Sequence, residues 1–250
     1  MKVIKEFLES NVQLSKMSKV LDVGFGRGEF TAMLLDSCGR DKEYIGIELI
    51  DAAVDAANEN FKDEPVKVLK MDASDMSFED NSFDLVCLSN TLHHLSNRED
   101  VISEMKRVVK PDGYILIQEM ICDNQTEKQM THVTLHHFSA KIDRFFGRHH
   151  EETFTRTQLD NLYEELELLP FAKTEYLMHE IYPIEDEESV VKNIVSSMRK
   201  GIDRVEDLEF HQTLLEEFEG FADDLIKTGF ESATETLYLL RGSSLWQPIS

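Results

Sequence analysis

Short apolar runs alternate with amphipathic stretches through the first 120 residues. Residues 1–16 carry Val3, Ile4, Phe7 and Leu8 on one helical face. Lys19–Val23 reads as a buried strand, followed by a helix from about Glu29 to Ser37 that stops at Gly39. The same alternation predicts strands at 44–48, 66–70, 83–88 and 114–119. Between them, Asp51 is expected to cap a helix running to about Phe61, and Ser96 or Asn97 to open one through Val109. The tetrapeptide KPDG, residues 110–113, reads as a turn into the fifth strand. Strands separated by helical stretches of this length predict right-handed crossovers and a parallel sheet covered on both faces.

After Glu119 the rhythm changes. Residues 123–146 read as one helix, and Thr155 with Gln158 has capping-box spacing before another that ends near Leu169. A strand is expected over Glu175–Tyr182, helices over 186–200 and 206–228 with a stop at Gly229, and a last strand over Thr236–Leu240. No internal repeat or linker interrupts the chain. It therefore reads as one α/β domain over 1–250: a helix at 1–16, a core at 17–120, helical additions at 120–156 and 184–228, and a closing strand at 229–242.

Composition narrows the class. Apolar residues make up 41% of the chain and charged residues 30%, values of a globular protein. The net charge of −23 repels phosphate backbones and anionic lipid, so neither nucleic acid nor membrane is expected as a partner. The N-terminal residues do not read as a signal peptide. Cys38, Cys87 and Cys122 share no metal-type spacing, which fits a cytoplasmic protein.

The densest chemical signal is VLDVGFGRGEF, residues 20–30. A strand, a glycine turn and a helix N-terminus make a ligand site at the carboxyl end of a parallel sheet. The dinucleotide fingerprint is G-x-G-x-x-G, whereas here Asp22, Gly24, Gly26 and Gly28 form D-x-G-x-G-x-G. An aspartate at this turn repels a pyrophosphate and suits a cationic ligand with an amino acid portion. Glu48, ending the second strand, can accept both hydroxyl protons of a ribose. Asp72 can accept from an exocyclic adenine amine, and the Ala73 amide can donate to the ring. Adenine, ribose and a positively charged amino acid together describe S-adenosylmethionine.

The pieces VLDVGFGRGEFT, YIGIEL, MDASDM, DNSFDLVCLSNTLHHL and RVVKPDGYILIQE, in this order over roughly residues 17–120, resemble the class I S-adenosylmethionine-dependent methyltransferases. The resemblance implies a Rossmann-like, doubly wound seven-stranded sheet, mostly parallel with an antiparallel last strand, for which GFESATETLYLLRG at 229–242 is the closing segment. It implies cofactor contacts from Asp22, Gly24, Phe25, Gly26, Gly28, Glu48, Leu49, Asp72, Ala73 and Asn90, with S-adenosylhomocysteine as product.

Methyl transfer is an in-line displacement from a sulfonium, so alignment and exclusion of water do most of the work. A general base is needed only for an acceptor that arrives protonated; His93 and His94, after the fourth strand, are the candidates. Glu119, Cys122, His132 and His136 are expected to border the acceptor. No CxxC or HExxH pattern supports a metal. A small-molecule acceptor and a monomer or homodimer are expected. Two alternatives remain: a methyltransferase-like protein that binds the cofactor in a regulatory or subunit role without turnover, and a nicotinamide oxidoreductase, which the glycine spacing disfavours.

Overall fold

The parallel sheet follows from five strongly apolar segments that need cover on both faces. In a computed structural model, which describes residues 2–203 and 210–242, the chain divides into two compact units. Of the described residues, the first comprises 2–119, 158–175 and 236–242, and the second 120–157, 176–203 and 210–235.

The first unit opens with α1 (Lys2–Asn11) and a single 3-10 turn at Leu14–Lys16. It continues through β1 (Lys19–Val23), α2 (Glu29–Cys38), β2 (Glu43–Glu48), α3 (Asp51–Asn60), β3 (Val66–Lys70), β4 (Phe83–Ser89), α4 (Arg98–Val108) and β5 (Val109–Met120). With β6 (Ala172–Leu177) and β7 (Thr234–Arg241) these strands form one seven-stranded sheet in the order β3-β2-β1-β4-β5-β7-β6. β1 pairs in parallel with β2 on one side and β4 on the other, and β5 joins β4 in parallel. β7 runs the other way: Ile121 N donates to Thr234 O, and Gly242 N donates to Gly113 O, so one strand rises as its neighbour falls. Direction of winding reverses between β1 and β4, which opens a crevice at the carboxyl ends of those strands.

Burial explains the composition of the strands. Val20, Leu21 and Val23 in β1, Leu85 to Leu88 in β4 and Ile115 to Ile117 in β5 are all buried. Such strands read as continuous apolar runs, as expected when helices cover both faces. The edge strand β3 buries only Val68 fully.

Several sequence expectations are corrected. Asp51 is the first residue of α3, not its cap; Ile50 holds the cap position, and the Asp51 carboxylate pairs instead with Lys70 Nζ at 2.5 Å. KPDG lies within β5, as an irregularity in which Phe83 pairs with Val109 but Leu85 already with Tyr114. Asp84 supports it, accepting from Lys110 Nζ at 2.6 Å while its other oxygen takes the Ser18 and Lys19 amides. The strand expected at 175–182 is β6, which ends at Leu177 and gives way to the short helix α7 (Met178–Ile181). The capping-box helix expected from Thr155 is α6 (Arg156–Glu165).

The second unit is built on helices. α5 spans Glu127–Phe145, not 123–146, because Thr126 and Gln129 form the capping box that fixes its start. α8 (Glu187–Asp203) and α9 (His211–Thr228) pack with α5 around Phe138, Ile202, Leu214, Phe218 and Leu225. Gly229 ends α9 at φ 86°, with its amide on Leu225 O. Residues 206–209 of the expected last helix lie outside the described residues, as does Met1 of the expected first one. Among the described residues no helix is long and apolar enough to cross a membrane.

Candidate functional site

The glycine turn leaves β1 at its carboxyl end, and Gly24 N and Phe25 N both donate to Ile47 O of the neighbouring strand. This bifurcated anchor draws the turn across β2. Phe25 then turns inward, packing with Ala57 and Val68 and meeting Phe61 edge-on at 5.4 Å. The ring is a plug beneath the turn.

The three glycines have different jobs. A Cβ on Gly28, at φ 81°, would stand 2.5 Å from the Phe61 ring and 2.6 Å from the Phe25 ring. Gly28 therefore answers to aromatic packing. Gly24 is pressed by Thr91, whose Cγ2 and Oγ1 would lie 2.7 Å from an added Cβ. Gly26, at φ 53°, has only the Gly24 carbonyl within 4 Å. It faces open space and offers its backbone to whatever occupies that space.

Glu48 ends β2 beside this turn. Its Oε2 accepts from Gly26 N at 3.2 Å, while Oε1 accepts from Leu49 N at 2.8 Å and Ile50 N at 3.2 Å. One carboxylate thus ties the glycine turn to the start of α3. Leu49 and Ile50 are about 60% exposed beside it, an unusual place for two large apolar side chains. Asp72, exposed after β3, closes its own turn by accepting from Ser74 N at 2.9 Å and Ser74 Oγ at 2.7 Å, which lowers its pKa. Ala73 stands beside it, half-buried.

Asp22 lies beneath the turn, buried, with Thr31 Oγ1 of α2 donating to Oδ2 at 2.6 Å. Burial raises its pKa to about 7, and the Thr31 bond only partly offsets this. At the end of β4, Asn90 adopts φ 45° and donates its amide to Gln118 O at 2.9 Å. Asparagine tolerates this left-handed conformation better than other side-chain-bearing residues do.

A 3-10 turn, Leu92–His94, follows. His93 and Glu119 are both fully buried, with His93 Nδ1 and Glu119 Oε2 2.7 Å apart. Glu119 Oε1 accepts from Leu92 N at 2.7 Å, and Thr236 Oγ1 donates to the Glu119 carbonyl. The Glu119 carboxylate faces inward, onto Leu92 N and His93. His93 is its buried partner; His94, whose ring lies 4.4 Å from that of His93, is the exposed member.

The remaining expected residues belong to the second unit. Cys122 donates its thiol to Thr153 O at 3.3 Å and packs beside Met120, Val133 and Ala233, and burial raises its pKa. His132 Nδ1 accepts from Ala233 N at 3.0 Å, its ring meets Phe230 edge-on, and burial lowers its pKa to about 4. Here it packs as a neutral imidazole. His136 packs its ring 5.0 Å from that of His150, whose Nδ1 lies 2.8 Å from Asp143 Oδ2.

Sequence reasoning missed Thr31, Gly46 and Thr91. Thr31 was visible as a hydroxyl within an otherwise apolar helical face. Gly46 and Thr91 carried no local signal, since each is set by a residue remote in sequence: Phe25 at Gly46 and Gly24 at Thr91.

Residues 21–117 match a family model described as a methyltransferase domain. A ubiquinone/menaquinone biosynthesis C-methyltransferase of Idiomarina loihiensis is 30% identical over 105 residues, 40% of this chain and 42% of that protein. A demethylmenaquinone methyltransferase of Staphylococcus aureus is 32% identical over 119 residues, 47% of this chain and 49% of that protein. The chain thus spans about half the length of the curated relatives it matches. Among solved structures, an S-adenosylmethionine-dependent methyltransferase from Aquifex aeolicus aligns over 69% of this chain and 81% of its own, with a TM-score of 0.51 and 22% identity. The YcgJ protein of Bacillus subtilis aligns over 97% of both chains, with a TM-score of 0.56 and 16% identity. These structural likenesses speak for the fold, and the matched residues carry the glycine turn, Glu48 and the post-β4 segment. Residues 21–117 of this chain thus resemble a methyltransferase domain in sequence, and the fold is that of the solved methyltransferase structures it aligns with.

Proposed function

We propose that the chain binds S-adenosylmethionine and transfers its methyl group to a small-molecule acceptor. The observation that carries this reading is the Glu48 carboxylate held between the Gly26, Leu49 and Ile50 amides at the switch point of the sheet. A carboxylate so fixed can take the two hydroxyls of a ribose. Gly26 leaves its backbone open for the methionine portion, and the buried Asp22 supplies a countercharge to an ammonium. Leu49 and Ile50 give an apolar wall for a purine, and Asp72 and Ala73 offer an acceptor and an amide for its edge.

The cofactor brings its own leaving group, so this chain's residues need only bind, orient and exclude water. His94, exposed beside His93, is the candidate to hold an acceptor hydroxyl or to take its proton. The family model matches residues 21–117, which carry the glycine turn and Glu48, so acceptor choice is assigned to residues outside that range. Two relatives named for quinone methylation make a demethylmenaquinol the first acceptor to assay. The net charge of −23 argues against a nucleic acid acceptor.

Calorimetry with S-adenosylmethionine, S-adenosylhomocysteine and NAD tests the donor side. Binding of the first two and not the third is expected; binding of NAD alone would overturn the reading. Tight cofactor binding without turnover across quinol, amine, thiol and carboxylate acceptors would favour a regulatory binding protein.

A further inference from the structure

We propose that Glu119 is a positioning residue of this site, acting through the Leu92 amide and the His93 imidazole to hold the post-β4 segment against the glycine turn. The proposal rests on the cofactor reading above. It begins from an odd placement: a carboxylate and an imidazole, both fully buried, at the end of a central strand. Buried polar groups in such a place require hydrogen-bond partners, and here those partners join two segments of the chain.

Three successive anchors run from β5 to the segment after β4. Gln118 O receives the Asn90 amide at 2.9 Å. Glu119 Oε1 receives the Leu92 amide at 2.7 Å. Glu119 Oε2 stands 2.7 Å from His93 Nδ1. A carboxylate accepts only, so the bond assigns the imidazole proton to Nδ1. The segment is pinned from the other side by Arg98 Nε, which donates to Leu92 O at 2.9 Å.

What these anchors fix is the distance between Thr91 and Gly24. Thr91 fills the place where a Gly24 side chain would be, and its hydroxyl is turned back onto Ser89 O at 2.8 Å. Asn90 is meanwhile held in a left-handed conformation that an asparagine leaves readily when its amide is released. Glu119 therefore holds Leu92 and His93, the residues that follow Thr91, and through them the wall over the glycine turn. It does so without touching ligand, since its side chain is fully buried. The same bond sets the His93 ring on which His94 packs, so the exposed imidazole is presented in one orientation.

The test compares Glu119→Gln, Glu119→Ala and the control Thr236→Val. Glutamine keeps an acceptor for Leu92 N, alanine removes both anchors, and valine at 236 removes only the bond to the Glu119 carbonyl. Probed with S-adenosylhomocysteine by calorimetry, Glu119→Gln and Thr236→Val are expected within threefold of the parent. Glu119→Ala is expected to bind tenfold to hundredfold more weakly while keeping the parent's circular dichroism. Should Glu119→Ala fail to fold, the decision falls to Glu119→Gln and nitrogen-15 spectra of the imidazoles. Those spectra are expected to show a slowly exchanging Nδ1 proton on His93 in the parent, with loss of its downfield shift in Glu119→Gln. A folded Glu119→Ala with parental affinity, or a His93 proton on Nε2 in the parent, would overturn the proposal. The imidazole spectra are read without ligand, so their failure is distinct from failure of the parent to bind S-adenosylmethionine, which would instead sink the cofactor reading.

Discussion

Thr31 donates its hydroxyl proton to Asp22 Oδ2 at 2.6 Å, and among the described residues no other hydrogen bond reaches this buried carboxyl. Burial prevails over that bond and lifts the Asp22 pKa from 3.8 to about 7. Between about pH 4 and 7 the folded protein then holds a proton that the unfolded chain has released. Stability should fall as pH rises through that window, by on the order of 1–4 kcal/mol. Asp22→Asn keeps an acceptor for Thr31 and removes the titration. Urea unfolding at pH 5 and 8 should show the variant gaining on the parent at the higher pH. An unchanged difference between the two would count against the assignment.

The same carboxyl predicts a linkage to ligand. A bound ammonium favours the ionised form, so uptake of S-adenosylmethionine should release a proton near pH 6–7 and tighten as pH rises through about 7. Calorimetry in buffers of different ionisation enthalpy reads the proton directly. Asp22→Asn should abolish the release and weaken binding about tenfold.

Gly28→Ala and Gly26→Ala separate folding from binding. Alanine at 28 drives a methyl into the Phe25 and Phe61 rings at a positive φ, and should cost about 2–4 kcal/mol of stability. Alanine at 26 meets open space, so it should cost only about 1 kcal/mol while placing a methyl on the face of the turn open to ligand. Thermal unfolding together with S-adenosylhomocysteine titration should show the first variant unstable and the second weakly binding.

These outcomes bear on what the sequence could say. The sheet was legible because each strand is a short apolar run and each helix has its own stop, as at Gly39 and Gly229. The gathering of Asp22, the glycines and Glu48 was legible because they lie at strand ends that topology must bring together. Their packing partners were not, because those partners lie far apart in the chain. Gly28 is decided by Phe61, Glu119 by His93, and Asp51 by Lys70. KPDG has turn composition, yet the pairing of β4 with β5 carries it along as a strand irregularity. Local preference lost there to the sheet around it.

Glu48→Ala removes the acceptor for three backbone amides. Hydrogen exchange at Gly26, Leu49 and Ile50 should quicken in the absence of ligand. S-adenosylhomocysteine should bind about tenfold to hundredfold more weakly, the loss of a charge-assisted bond of roughly 1.5–3 kcal/mol. Parental affinity with quickened exchange would leave Glu48 a loop anchor and remove it from the ribose.

His132 should oppose Asp22 in the same pH range. Its ring is buried, accepts from Ala233 N, and has its pKa lowered from 6.5 to about 4. Below about pH 6.5 the unfolded chain takes up a proton that the folded protein refuses, so this group's contribution is full above 6.5 and is lost as pH falls toward 4. His132→Asn preserves an acceptor for Ala233 N and cannot titrate. Unfolding from pH 7 down to 4.5 should therefore show the parent losing stability relative to His132→Asn, the reverse of the trend for Asp22→Asn. The double variant should show the sum of the two, since each group keeps its own hydrogen-bond partner within its own unit. Any departure beyond about 0.5 kcal/mol from that sum would show that the two titrations are coupled.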